Sequence, residues 1–408
     1  MNIIVKIAWR NIWRNPRRSW VLITSIIVGV FGYLGTIGFS RGFITQMIES
    51  TINLNGGHIV IAPKGYSDNP QIRLFIDEPE RIARTLDELS GLQYAPAVAI
   101  QGMINSSETA ARVVINGVVP HQESQITVIS RAITQGRYLL DTDSQNEIVI
   151  GEALAGKLNV EIGEKIVLLA TDLQNNISSG AYRVVGLFRT TSPDFDKGIV
   201  FLQINQARKL IGYSKQVTAF SVRLKPGSDL EATLAQLKWK LRSEDLEVLS
   251  WKDRNPLLVL SMQAYDNSVV LIVGILFTAI AFSIANSFLM VIYERIQEFG
   301  IMMANGVLPR KIRSMLYFEA FFITCIGTAL GLLVSAAILG YLGHAGLDLA
   351  AFAQGLGKLG VGSLVYPDVD LSDIVIGLIV INVVVLLSVI YPSIKASRFD
   401  VAEAISFE

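Results

Sequence analysis

Four stretches of the chain are dominated by apolar side chains and contain no Asp, Glu, Lys or Arg. They cover residues 19–40, 267–293, 320–347 and 374–394. A helix needs roughly 20 such residues to cross the hydrocarbon core of a bilayer. With the polarity of the flanking residues taken into account, the pattern predicts four transmembrane helices, at residues 19–46, 265–293, 312–345 and 372–393.

The region between the first two spans, residues 47–264, alternates apolar and polar positions as a folded domain does. Segments such as "GGHIVIAP" and "ARVVINGVV" favour strands, whereas "EPERIARTLDEL" and "LEATLAQLKWKLR" favour helices. We expect an α+β domain of two lobes. Residues 121–212 are the most strand-rich, and they form a lobe inserted into an outer lobe of residues 47–120 and 213–255.

The flanking segments are short and polar, and their charges predict the orientation. Residues 1–18 place apolar side chains at helical spacing beside tryptophans, which predicts an amphipathic helix on the inner membrane surface. Lys and Arg occur in residues 1–18, in residues 294–311 and in the tail 394–408. The charged residues of the loop 346–371 are mainly aspartates. The positive-inside bias therefore predicts cytoplasmic termini and an extracytoplasmic domain.

Composition and motifs narrow the functional classes. The 408 residues are 51% hydrophobic with a mean hydropathy of +0.45, which is typical of a membrane protein, and the net charge of zero argues against a nucleic-acid partner. One cysteine and three distant histidines indicate neither a disulfide nor a metal site. No GxxxxGK[ST], HExxH, GxSxG or CxxC motif occurs, and Asp141 and Asp143 are read as a solvated turn. We expect no enzymatic activity.

Within the spans the pattern favours close packing over ion transport. Glu319 is the acidic residue that we place inside a span, and we expect it to pack against the polar inner loop rather than to relay protons. Small residues at regular spacing let helix backbones approach closely in lipid. The glycines expected to serve helix packing are Gly29, Gly32, Gly35, Gly327 and Gly331.

The segment "ERIQEFGIMMANG", residues 294–306, interrupts two apolar runs with a charged, helix-forming sequence. Written as a helix, it has an apolar stripe on one face and a mixed face elsewhere, and the stripe can lie against the membrane or against the spans. The stripe contains Ile296, Phe299, Gly300, Met303 and Val307, and the mixed face contains Arg295, Glu298, Met302 and Asn305. The mixed face is too sparse for simple lipid binding, so it predicts a docking element for a protein. We expect Gly306 to end the helix and Pro309 to begin the next.

These segments carry a family resemblance over nearly the whole chain. "ERIQEFGIMMANGVLPRKI" and "YPSIKASRFDVAEAI" resemble the signatures of FtsX-like, macrolide-exporter-type (type VII) ABC transporter permeases. "GFITQMIESTINLNGGHIVIAPKGY" is similar to the stretch that follows span 1 in the lipoprotein-releasing permeases. The resemblance implies an α+β membrane protein with four transmembrane helices. Its large extracytoplasmic domain, between helices 1 and 2, consists of a porter-like lobe and an inserted β-rich lobe.

The resemblance also implies partners. Two permease chains pair, as a homodimer or a heterodimer, and two separate ABC ATPase subunits bind ATP and Mg, so that this chain needs no cofactor of its own. The ATPases dock on a cytoplasmic coupling helix and drive motion of the outer domain, a process called mechanotransmission. The residues implied in coupling are Arg295, Glu298, Phe299, Gly300, Met302, Met303, Asn305 and Gly306.

The resemblance leaves the cargo open. We expect extraction of a lipoprotein or another hydrophobic substrate from the inner membrane, with acyl chains held between spans 1 and 2. The matching positions are Phe39, Phe43, Met47, Ile48, Met262, Tyr265 and Leu271. The alternatives are a periplasmic efflux permease that works with an adaptor and an outer-membrane channel, and an FtsX-type regulator of a cell-wall hydrolase.

Overall fold

The computed structural model describes residues 3–142, 146–242, 244–358 and 361–398. The chain forms two compact units. The membrane unit consists of Met1–Ile44, Met262–Asp348 and Leu364–Glu408, and the domain unit consists of Thr45–Ser261 and Leu349–Ser363. Asp143 and the part of the predicted tail beyond residue 398 lie outside the described residues.

The elements are numbered in chain order. The α-helices are α1 (Ile3–Arg14), α2 (Pro16–Leu54), α3 (Pro79–Asp87), α4 (Pro120–Ile126), α5 (Glu152–Leu158), α6 (Pro193–Gly198), α7 (Ile204–Ile211), α8 (Leu230–Lys240), α9 (Trp251–Arg254), α10 (Pro256–Glu294), α11 (Ile296–Ala304), α12 (Pro309–Ala345), α13 (Ala353–Lys358), α14 (Leu371–Ser388) and α15 (Ile390–Ala396). The strands are β1 (Ile59–Pro63), β2 (Leu92–Asn105), β3 (Ala110–Val118), β4 (Ile133–Gly136), β5 (Glu147–Gly151), β6 (Lys165–Thr171), β7 (Ile177–Phe188), β8 (Ile199–Gln203), β9 (Ala219–Leu224), β10 (Leu246–Ser250), β11 (Leu347–Asp348) and β12 (Leu364–Val365).

The four predicted spans are confirmed as α2, α10, α12 and α14 with α15. Both α2 and α10 have 39 residues, longer than the apolar runs that predicted them. A rise of about 1.5 Å per residue makes each roughly 58 Å long, whereas the hydrocarbon core is roughly 30 Å thick. Hydropathy identifies only the apolar part of such a helix. The sequence analysis therefore assigned the polar ends of α2 and α10 to the domain. The last span breaks at Val389, because Pro392 cannot donate a hydrogen bond to the preceding turn.

Glycines of the membrane unit lie where two spans approach closely. A Cβ added to Gly327 or Gly331 of α12 comes within 2.8 Å of Ile26 or Val30 of α2. A Cβ on Gly29 meets Ile280 of α10 at 2.5 Å, whereas Gly35 has no such neighbour within 4 Å. Gly32 likewise lies against Leu276, at 2.9 Å. The glycine face of α2 therefore receives α10, and the GxxxG pair of α12 receives α2.

Helix α1 packs on protein along one side. Ala8 and Ile12, from the predicted apolar stripe, are fully buried, whereas Ile7 of the same stripe is exposed. The Trp9 ring meets Phe322 of α12 edge to face, with centroids 5.3 Å apart. The stripe is therefore divided: α12 and its neighbours cover one part, and the other part faces outward with the tryptophans.

The domain unit is built on one ten-stranded mixed sheet. The strand order is β10-β1-β9-β2-β3-β8-β5-β7-β4, and β6 pairs with both β2 and β7. Parallel pairs occur at β3/β8 and β5/β7, and the other pairs are antiparallel. The sequence analysis missed β2, the longest strand, which pairs with β9, β3 and β6 in turn. Its sequence includes Pro96, a residue that usually argues against a central strand.

The two segments predicted as separate lobes share this sheet. The pairs β3/β8 and β2/β6 join the outer segments to the inserted one. A single hydrophobic core contains buried side chains from both, including Ile104, Ile115, Leu168 and Val200. The short loop 349–363 also belongs to this unit, where Gly357 of α13 lies against Pro193 of α6.

Candidate coupling site

Helix α11 connects the second and third spans and has well-defined ends. Arg295 occupies its N-cap position directly after α10. At the other end Gly306 adopts a φ of +84°, a left-handed conformation that favours glycine, and its N–H donates to the Met303 carbonyl at 2.9 Å. Pro309 then starts α12. The helix stop and restart predicted from the sequence are therefore both present.

One face of α11 is part of a hydrophobic core. Ile296, Phe299 and Gly300 are buried, and Met302, Met303 and Val307 pack against the same core partly buried. The core includes Ala8 of α1, Ile292 of α10, and Ile312, Met315 and Leu316 of α12. The predicted apolar stripe thus faces the spans. Phe299, fully buried in it, anchors the helix rather than offering a contact surface.

The structure overturns the placement of Arg295 on an outward face. Its side chain is only 6% exposed, and its Nη1 lies 3.3 Å from Oε2 of Glu319, itself 3% exposed. Its Nε lies 2.9 Å from Oε2 of Glu298, and its guanidinium stacks over the Phe299 ring. A helical wheel of the segment alone predicts that Arg295 is exposed to solvent. In the structure Arg295 lies at the start of α11, where its side chain pairs with the buried carboxylate of Glu319 in α12.

Arg295 belongs to a network that we call the inner ion cluster. Arg18 of α2 lies 2.7 Å from Glu294 at the end of α10 and 3.9 Å from Glu319 of α12. Arg14 of α1 pairs with Glu298 of α11. The three acidic and three basic groups balance in charge. The members are Arg14, Arg18, Glu294, Arg295, Glu298 and Glu319.

The cluster stabilises the ionised form of Glu298. Burial alone opposes ionisation, but hydrogen bonds and charges from Arg295 and Arg14 outweigh it and hold the pKa of Glu298 below its ordinary value. Glu319 was expected to pack against the polar inner loop, and its contact with Arg295 at the start of α11 confirms this.

The opposite face of α11 is exposed, and the sequence analysis identified only part of it. Ile301 and Leu308 are 54% and 60% exposed. Of the predicted coupling residues, Asn305 and Gly306 share this exposure. The exposed positions fall between those of the buried stripe and are spaced by four and then three residues, as one face of a helix requires. The sequence pattern could therefore have identified them. We call this surface the α11 outer face; it consists of Gln297, Ile301, Ala304, Asn305 and Leu308.

The residues predicted for an acyl site are brought together in part. The rings of Phe39, Phe43 and Tyr265 form a cluster within the membrane unit, with centroids 6.1 Å apart for Phe39–Phe43 and 5.4 Å for Phe43–Tyr265. Leu271 is exposed further along α10. The remaining positions are either buried, as Met47 is, or half-buried, as Ile48 and Met262 are.

The domain unit contains a cavity of about 730 Å³, which is within the usual range for ligand sites. Small side chains of β2 and β9, such as Ala97, Ala99 and Ala219, form part of its wall. Glu123 lies in the wall and accepts hydrogen bonds from Thr127 and Tyr138. Burial raises the pKa of Glu123, although both hydrogen bonds oppose this. The sequence analysis missed the cavity because it missed β2.

Two models of known protein families match this chain. The family model for the MacB-like periplasmic core domain matches residues 19–238, more than half of the chain, and that for the FtsX-like permease C-terminal region matches residues 270–401. The chain belongs to the FtsX-like, MacB-type family of ABC transporter permeases. This permease is therefore a membrane subunit without enzymatic activity of its own, and ATP is hydrolysed by a separate subunit.

The permease has distant relatives of two kinds. It is 23% identical over 404 residues to a lipoprotein-releasing system transmembrane protein, LolC, of Neisseria meningitidis, covering 96% of this chain and 94% of that one. It is 24% identical over 360 residues to a pyoverdine export ATP-binding/permease protein, PvdT, of Pseudomonas fluorescens, covering 83% of this chain and 52% of that one. The periplasmic region of MacB from Actinobacillus actinomycetemcomitans aligns with a TM-score of 0.39 at 16% identity, covering 51% of this chain and 94% of that one.

Proposed function

We propose that the permease extracts a lipoprotein, or another lipid-anchored substrate, from the inner membrane, driven by ATPase subunits that dock on the α11 outer face. The observation that carries the docking part is the two-sided character of α11. Phe299 is buried in the core of the spans, whereas Ile301 and Leu308 are exposed beside polar neighbours. Apolar side chains that protrude from a short, firmly held helix are typical of an interface that a partner covers.

The orientation in this proposal follows from topology. The domain lies between the first and second spans, and α11 lies between the second and third, so the membrane separates them. With the domain in the periplasm, α11 and both termini are cytoplasmic, in line with the Lys and Arg beside them. We propose two ATPase subunits, each binding ATP and Mg, and a second permease chain, identical or related.

The lipoprotein part rests on two observations. The relationship to LolC extends over nearly the full length of both chains, whereas the permease matches about half of PvdT. In addition, Phe39, Phe43 and Tyr265 bring α2 and α10 together through aromatic rings. Aromatic surfaces between two spans suit an acyl chain, because they offer apolar contact without a charge that must be desolvated.

A reconstituted complex tests the proposal. The permease is purified with the ATP-binding subunit that accompanies it, placed in proteoliposomes with a fluorescent lipoprotein, and supplied with ATP. We expect ATP-dependent release of the lipoprotein but not of the same polypeptide without acyl chains. The change Ile301→Glu should lower both ATPase binding and release about tenfold, because a carboxylate is then desolvated at the interface.

The matched control is Ile177→Glu, which places the same charge on an exposed isoleucine of the domain. It should leave ATPase binding unchanged. ATPase binding that survives Ile301→Glu would refute docking on the α11 outer face. Release that requires neither acyl chains nor ATP would refute lipoprotein extraction. Transport of a soluble compound only with a periplasmic adaptor would instead support the export function suggested by the similarity to PvdT.

A further inference from the structure

The inner ion cluster joins five helices of the membrane unit, α1, α2, α10, α11 and α12. Its pairs link α1 to α11 through Arg14 and Glu298, and α2 to α10 through Arg18 and Glu294. At its centre Glu319 of α12 lies between Arg295 of α11 and Arg18 of α2. The proposed docking helix is thus tied by charge to the beginning of the first span and to the third span.

The buried pair at the centre of the cluster opposes the separation of its two side chains. Arg295 and Glu319 are almost completely buried. Ions that are buried in this way must remain paired, because separating them leaves a charge without water or a counter-ion. A displacement of α11 therefore favours a joint displacement of α2 and α12 over a local break.

Helix α1 has polar contacts besides Arg14–Glu298 in the described part of the chain. Its last turn accepts a hydrogen bond from Ser19 at the Ile12 carbonyl, at 2.7 Å, and Asn11 reaches the Met315 sulfur at 3.9 Å. Its apolar contacts, through Ala8 and Ile12, are packing contacts in two hydrophobic cores and contain no directed bond. Directed attachment to α11 itself comes from Arg14 and Glu298.

We propose that Glu319, with Arg295 and Arg18, is a positioning centre that makes the start of α2 move with α11 when the ATPase changes state. This rests on the proposed docking of an ATPase on α11. In this assignment, Glu319 does not carry protons or ions. It keeps the two arginines in register, and through them it passes motion from the docking helix to the first span.

Two variants separate positioning from simple stability. Glu319→Gln removes one charge and leaves an excess of positive charge in the cluster. The double variant Arg295→Gln with Glu319→Gln restores the charge balance, and Arg14–Glu298 and Arg18–Glu294 are still able to pair. The matched control is Arg41→Gln with Asp373→Asn, which neutralises a pair at the other end of α2.

The measurement is hydrogen exchange of the full permease–ATPase complex, with and without a trapped nucleotide, followed by ATP-driven substrate release. In the unchanged complex we expect nucleotide to alter exchange in both α11 and the start of α2. In the double variant, ATPase binding and the response of α11 should persist, the response of the start of α2 should be lost, and release should fall about tenfold. The control should behave as the unchanged complex.

The outcomes distinguish this inference from the proposed function. If α11 of the unchanged complex does not respond to nucleotide, ATPase docking on α11 is wrong and the positioning role falls with it. If α11 responds and the start of α2 in the double variant still responds with it, docking stands and the positioning role is refuted. If only Glu319→Gln is impaired and the balanced double variant regains full release, the cluster serves stability alone.

Discussion

The two ends of the charge-free run of α2, residues 19–40, are held in different ways. At one end, Arg18 joins the inner ion cluster, whose central pair, Arg295 and Glu319, is 6% and 3% exposed. At the other end, Arg41 of the same helix lies 3.3 Å from Asp370 and 3.1 Å from Asp373. These three side chains are 38%, 61% and 14% exposed, so solvent reaches the pairs.

The end near Arg41 is fixed mainly by backbone contact. The carbonyl of Gly38 accepts a hydrogen bond from the Asp368 N–H at 2.9 Å. Gly42 has no room for a side chain, because an added Cβ comes within 2.0 Å of the Tyr366 carbonyl oxygen. The first span is thus held by buried charge at one end and by close backbone approach at the other. Equal numbers of ion pairs do not imply equal stabilisation, since burial decides how much each pair matters.

The largest effect should come from breaking the buried pair. Glu319→Ala leaves Arg18 and Arg295 without their shared carboxylate, although each retains another. We expect a loss of about 3 kcal/mol, at the low end of the range for removal of one partner of a buried pair. The measurement is the thermal unfolding midpoint of the purified permease. Glu49→Ala, at an exposed position of α2, is the control and should leave the midpoint unchanged.

An intermediate effect is expected from Gly42→Ala. The new methyl group collides with backbone rather than with a flexible side chain, so α2 and the segment before α14 must separate, at about 1–3 kcal/mol. Gly35→Ala is the matched control, because it lies on the same helix with no neighbour within 4 Å of its added Cβ. A midpoint equally insensitive to both changes would contradict the view that close backbone approach fixes this end.

The smallest effect should follow from Arg41→Ala. Its pairs are partly exposed, so we expect a loss of less than about 1 kcal/mol, and one that shrinks further in 1 M salt, where the Debye length is about 3 Å. The unfolding midpoint at low and high salt measures this. A loss as large as that from Glu319→Ala, and insensitive to salt, would remove the contrast between the two ends.

Elements with a strong local pattern were predicted well. The four spans, the strands β1 and β3 and the helices α3 and α8 follow from hydrophobic periodicity over short windows. The long strand β2 did not, because Pro96 and the alternating alanines Ala95, Ala97 and Ala99 weaken the strand pattern. The wall of the domain cavity was therefore not predicted either, because strands from distant parts of the chain form it.

The candidate site divides in the same way. The apolar stripe of α11 was readable because its residues repeat at the helical period. The burial of Arg295 could not be predicted in this way, because a helical wheel does not show which residues of other helices pack against α11. Arg14 and Arg18 were read as flanking charges that orient the chain, yet their partners Glu298 and Glu294 lie 284 and 276 residues away.

By itself the sequence determined that this protein crosses a membrane four times, presents a large α+β domain between its first two spans, and has a two-faced helix between the second and third. Those properties depend on local hydrophobicity and periodicity, which a short window of residues contains. Only the tertiary structure decided that Phe299 and Arg295 face inward, that Ile301 and Leu308 face outward, and that one carboxylate joins three helices. Burial and ion pairing depend on which surfaces meet, and that is fixed only when distant segments pack together.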